Sequence, residues 1–127
     1  MRALLVLTMF LVLAGRASAQ DIVVNKSFSV KVGETKELIV IGAHKPDCVT
    51  SVFGRVEIKS PPNIGAISQR DNVPYVVGTS MSGTCYGAHL VGTAVDYTGK
   101  ASGRDSVRLD AVFPNGRAHY TISLRIQ

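Results

Sequence analysis

Tryptophan is absent from this chain, aromatic residues make up only 6% of it, and two cysteines are all that 127 residues contain. The missing tryptophan removes a hallmark of antibody-type domains, which pack a buried Trp against an inter-sheet disulfide. Two cysteines, far apart in sequence, do not make a structural zinc site, which wants four ligands at short spacings. Adjacent Lys/Arg residues are lacking as well. Nucleic-acid sites usually show a clustered basic stripe, so no nucleic-acid partner is expected. Beyond residues 3–14 there is no long apolar run, and that one is too short for a bilayer, which takes about 20 residues. No transmembrane segment is therefore expected. Motifs of nucleophilic catalysis are missing too. The stretch Gly78-Thr79-Ser80-Met81-Ser82-Gly83 comes near G-x-S-x-G but puts serine where the last glycine is required, and it lacks the strand-to-helix context of such a serine. An enzyme is not expected.

What is present begins with Met1-Arg2, the apolar run and Ala17-Ser18-Ala19. This is the pattern of a cleaved signal peptide over residues 1–19. The expected product is one domain over residues 20–127, periplasmic or secreted. Removing Arg2 and Arg16 from the 14 basic residues leaves twelve against 9 acidic ones, which lowers the net charge from +5 to +3. With 46% hydrophobic and 18% charged residues, the chain can build a core and is not disordered. Both cysteines, Cys48 and Cys85, lie in the exported part. Two thiols in an oxidising compartment most often pair; free thiols or metal ligation are the alternatives.

The periodicity is that of strands, not helices. Phe28, Val30 and Val32 alternate with polar residues. Residues 36–41 are dense in Ile, Leu and Val, and residues 49–53 and 55–59 read as one or two strands broken at Gly54. The segment 60–63, with two prolines, ends them. Residues 64–69 and 75–77 are short strand candidates on either side of a turn at Arg70-Asp71-Asn72. Three longer strands follow. In residues 90–97, Val91, Thr93, Val95 and Tyr97 share a face. Val107, Leu109, Ala111 and Phe113 share a face in 106–113, and Tyr120, Ile122, Leu124 and Ile126 do so in 118–126. Between the last two lies Pro114-Asn115-Gly116-Arg117, a hairpin turn. Matching the apolar faces excludes a three-residue loop, because a one-residue slip flips a whole face. Two or four residues remain. The lack of an N–H on Pro114 favours four, with Phe113 opposite Ala118 and Asp110 opposite Thr121. Seven or so short strands with regular turns predict an all-β fold, an Ig-like two-sheet antiparallel sandwich with one disulfide.

Over residues 58–127 the chain also resembles a known pattern. The series Pro62-Asn63-Ile64-Gly65-Ala66-Ile67, Val95-Asp96-Tyr97-Thr98, Gly103-Arg104-Asp105-Ser106-Val107-Arg108-Leu109 and Asn115-Gly116 is similar to bacterial cadherin-like and Ig-like repeat modules. Gly99 stands where those modules usually have Pro, and Val107 and Leu109 replace aromatics. The cysteine pair and the insertion over residues 68–86 resemble small single-domain secreted relatives in alphaproteobacteria. The resemblance implies a sandwich fold and an exported, non-catalytic module, and it implies no ligand. Calcium of the cadherin type needs clustered acidic residues, whereas Asp96, Asp105 and Asp110 stand apart and Ca²⁺ wants 6–8 oxygens.

Candidate sites follow from these readings. Gly103, Asp105, Asn115 and Gly116 are turn residues, with Asp105 expected to cap loop N–H groups. The outward face of the last hairpin carries Arg108, His119 and Arg125, a candidate partner-binding face for an envelope protein or polysaccharide. The long Gly/Ser loop around Ser80 is a second candidate contact surface. His44 and His89 lie four residues from Cys48 and Cys85. A disulfide brings their loops together, so a small Cu/Zn site there, with Asp47 or Tyr86 as a further ligand, is the alternative. No cofactor is expected otherwise. The functional expectation is a non-catalytic binding or structural module of the bacterial cell envelope.

Overall fold

A computed structural model describes residues 20–52, 54–78, 85–114 and 116–127. The candidate leader over residues 1–19, the Gly/Ser loop around Ser80 and Asn115 of the hairpin turn lie outside the described residues. Among those described, nine strands follow one another: β1 (Gln20–Val30), β2 (Thr35–Ile41), β3 (Ala43–His44), β4 (Ser51–Val52), β5 (Arg55–Ser60), β6 (Gly65–Val76), β7 (His89–Gly99), β8 (Gly103–Phe113) and β9 (Gly116–Ile126). They form a four-stranded sheet in the order β1-β9-β8-β5, a three-stranded sheet β2-β7-β6, and the small hairpin β3-β4.

The two larger sheets share one core, which makes the fold sandwich-like. From β8 and β9 come Val107, Leu109, Ala111, Ile122, Leu124 and Ile126; from β2 and β7 come Leu38, Ile39, Ile41, Val95 and Tyr97; Val30 closes the cluster. On β8 and β9 these residues alternate with exposed Ser106, Arg108, Ser123 and Arg125, as strands half-buried on one face require. On β7 the expected face is met at Val95 and Tyr97, both fully buried, but Val91 and Thr93 are only half-buried, while Leu90, Gly92, Ala94 and Asp96 on the other face are buried. The cause is position: β7 is the central strand of its sheet, and the Tyr75 ring and the Arg70 side chain cover its second face.

Four expectations are corrected. First, the sandwich is not wholly antiparallel: β1 runs parallel to β9, from Gln20 opposite Gly116 to Val30 opposite Ile126. Second, Arg70-Asp71-Asn72 is not a turn between two strands. It lies inside β6, where the register with β7 shifts between Arg70 and Val73. Asn72 takes a left-handed conformation, φ 55°, which asparagine tolerates, and the strand continues through a bulge. Third, the last hairpin has a two-residue loop, with Phe113 opposite Gly116, Leu109 opposite Tyr120 and Val107 opposite Ile122. The argument from Pro114 fails because the first loop residue donates no closing hydrogen bond; the closing donor of such a turn is the residue after the loop, here Gly116. Fourth, Asp110 consequently faces His119, not Thr121.

Cys48 and Cys85 form a disulfide. It joins the β3–β4 hairpin to the β6–β7 connection. Ser51 Oγ accepts from Val91 N–H at 3.2 Å in the same region, and Gly54 packs on the Phe113 ring, so this end of the sandwich gathers three chain reversals. At the opposite end Gly103 adopts φ 142°, a conformation that favours glycine. Just after it, Asp105 is buried. Its carboxylate accepts from Asn63 N–H (2.8 Å), Ile64 N–H (3.1 Å), Ser106 N–H (2.9 Å) and the Tyr97 hydroxyl (2.8 Å).

Candidate functional site

The outward surface of β9, β8 and their neighbours is built by the two-residue register. Alternation points Arg117, His119, Thr121, Ser123 and Arg125 outward from β9, and Asp110, Arg108, Ser106 and Arg104 outward from β8. Cross-strand neighbours are Asp110 with His119, Arg108 with Thr121, Ser106 with Ser123 and Arg104 with Arg125. The face divides into two electrostatic halves.

In the half nearest the hairpin turn, charges are paired. His119 Nδ1–H donates to Asp110 Oδ1 at 2.8 Å, and Arg117 Nη1 donates to Asp110 Oδ2 at 3.0 Å and to Glu57 Oε2 at 3.1 Å. Burial raises the Asp110 pKa, but the Arg117 and His119 hydrogen bonds outweigh it and hold the carboxyl below its ordinary value. Glu57 is lowered to about 2 by Lys59 and Arg55. His119 Nε2 lies 3.8 Å from Asp21 Oδ2 on β1, so the imidazole bridges three strands. A buried Asp orienting a His is part of a catalytic triad, which also needs a nucleophile at the other nitrogen; here that nitrogen meets a carboxylate.

In the other half, charges are unpaired. Of the six arginines described, Arg55, Arg70 and Arg117 form ion pairs. Arg104, Arg108 and Arg125 form none among the described residues, all are exposed, and all project from the same two strands. The expected face thus splits: Arg108 and Arg125 stay open to a partner, while His119 is already engaged. Arg104 is the residue the sequence reading missed. The register alone could have revealed it, because a four-residue loop sets Arg125 opposite Ser106 instead.

The alternative pair lies at the disulfide end. His44 Nδ1 is 3.1 Å from the Lys45 carbonyl, and His89 is exposed at the start of β7. Asp47, considered as a third ligand, is occupied by its own loop: it accepts from Val49 N–H, Thr50 N–H and the Thr50 hydroxyl, which lower its pKa to about 2. Tyr86 is 65% exposed. Among the described residues no group of three or more His, Cys, Asp or Glu is placed to hold a metal ion, and no helix is long and apolar enough to cross a membrane.

No family model matches the chain, and no curated protein matches it. Among solved structures it is similar to "Solution Structure of Amebosin", at 14% identity and a TM-score of 0.48 over 85% of this chain and 99% of that one.

Proposed function

We propose that the chain is an exported, non-catalytic binding module of the bacterial cell envelope, built as an Ig-like sandwich, whose contact surface is the arginine half of the β8–β9 face. The observation that carries the reading is the segregation of Arg104, Arg108 and Arg125. The other three described arginines are satisfied within the protein, and these three stand together without counter-charge among the described residues. Unpaired guanidiniums recognise carboxylates and phosphates in bidentate fashion, so the partner is anionic, and an acidic envelope polysaccharide has the required chemistry.

The Ig-like assignment is supported by strand order. With β2, β5, β6, β7, β8 and β9 taken as strands B to G, the sheets read B-E-D and C-F-G, as in immunoglobulin-type sandwiches, with β1 added beside the last strand. Export is supported by the leader pattern over residues 1–19 and by a disulfide, which persists in oxidising compartments.

The test is retention on an immobilised acidic glycan, polygalacturonate, against a neutral glucan at low salt. Wild type is expected to bind only the acidic matrix and to elute with added salt, because surface charge attraction is screened. The variant Arg104→Glu/Arg108→Glu/Arg125→Glu is expected to flow through. Equal retention of the two proteins refutes the assignment of the face.

A further inference from the structure

We infer that the Arg104–Arg125 end of this face is a phosphomonoester site, taking a phosphorylated sugar of an envelope glycan. The inference rests on the binding-module reading and narrows it to one group. Arg104 and Arg125 are direct cross-strand partners. Like charges placed opposite each other on a ladder repel and destabilise it, and among the described residues no carboxylate forms an ion pair with either arginine. Beside them lies a shallow groove of about 390 Å³ lined by Ser27, Ser29 and Ser123 as well as the two arginines. The serines arise from register: Ser29 is opposite Arg125 and Ser27 opposite Ser123 in the parallel β1–β9 pair.

Charge and geometry select the ligand. A carboxylate carries one charge and two oxygens, which a single guanidinium fork satisfies. It leaves the second arginine uncompensated. A phosphomonoester carries about −1.5 to −2 charges at pH 7 and three terminal oxygens. It can engage both forks, neutralise both charges and still accept from a serine hydroxyl. Arg108, opposite Thr121 and away from this groove, extends the basic face along the glycan without belonging to the seat.

The experiment is an NMR titration of the intact protein, following arginine Nε–H signals, with glucose 6-phosphate and separately with glucuronate. Glucose 6-phosphate is expected to bind roughly tenfold more tightly, shifting Arg104 and Arg125 and leaving Arg108 in place. Arg104→Ala and Arg125→Ala are each expected to abolish that preference, and Arg108→Ala to preserve it. Arg125→Lys keeps the charge and the fold but removes the fork, and is expected to lose most of it. Equal affinity for the two ligands overturns the inference, as does an Arg108→Ala effect as large as that of Arg104→Ala. Failure of both sugars while polygalacturonate retention persists overturns the phosphate seat alone; loss of retention as well removes the wider reading. Capture by phosphatidic acid vesicles without binding of free glucose 6-phosphate also overturns it, by assigning the face to a membrane.

Discussion

Asp105→Asn is expected to lower stability by about 3 kcal/mol at neutral pH. The carboxylate is 7% exposed and holds three backbone N–H groups and one hydroxyl. Oδ1 accepts from Asn63 and Ser106; Oδ2 accepts from Ile64 and Tyr97. An asparagine of the same shape has one acceptor. If its oxygen serves Asn63 and Ser106, its amide faces the Ile64 N–H, a donor against a donor. The Tyr97 hydroxyl can rotate and accept, but the backbone cannot. One buried N–H left unsatisfied costs about 1–3 kcal/mol, and loss of charge assistance in the remaining bonds adds roughly 0.5 kcal/mol each.

The pH dependence checks the charge. Burial pushes the Asp105 pKa up, but the hydrogen bonds from Asn63, Tyr97, Ile64 and Ser106 together overcome it, so the folded-state value lies below the ordinary one. A depressed carboxyl pKa gives stability that is present above the unfolded value of about 3.9 and is lost as pH falls through the folded value. Urea denaturation of wild type and Asp105→Asn should therefore show their full difference above about pH 5 and a shrinking one below about pH 4. A difference under about 1 kcal/mol at pH 7, or one that stays constant down to pH 3, refutes the reasoning. Tyr97→Phe removes the 2.8 Å bond from the same carboxylate, so its effect and that of Asp105→Asn should sum to more than the double variant loses.

Three further outcomes follow from the same geometry. Reducing the Cys48–Cys85 bond, which spans a sequence separation of 37, should cost about 4 kcal/mol on the chain-entropy relation; an unchanged urea midpoint with reductant refutes it. Gly92→Ala puts a Cβ 2.5 Å from the Ile41 carbonyl oxygen, which the β2–β7 ladder fixes in place, so a loss of about 2 kcal/mol is expected and a variant as stable as wild type contradicts it. Asp110→Asn should lower the thermal midpoint at pH 7. Because the Asp110 pKa is depressed by Arg117 and His119 against burial, the loss should fade below about pH 4; a midpoint equal to that of wild type at pH 7 argues against the network.

How much of this was legible in the sequence depends on what alternation can and cannot encode. Face assignment was legible, because Val107, Leu109 and Ala111 on β8 and Ile122, Leu124 and Ile126 on β9 repeat with period two and all six are buried. Register was not. Sliding the hairpin by two residues keeps Val107, Leu109 and Ala111 opposite apolar residues, so these core pairs do not choose between loops of two and four residues. The parallel pairing of β1 was equally hidden, since Ile22 and Val23 remain exposed on an edge strand and edge positions carry little burial signal. The choice of hairpin register shows instead in the outward polar pairs, at both ends of one stiff ladder. Setting Asp110 against His119 gains a 2.8 Å hydrogen bond to a buried carboxylate. The same register forces Arg104 against Arg125, six residues away along each strand, where the repulsion is exposed and screened by water. A contact to a buried carboxylate outweighs an exposed repulsion, so the unfavourable pair is held open by the favourable one. An anion that binds there meets two guanidiniums whose backbones are already positioned, and the ordering that binding otherwise costs is correspondingly reduced.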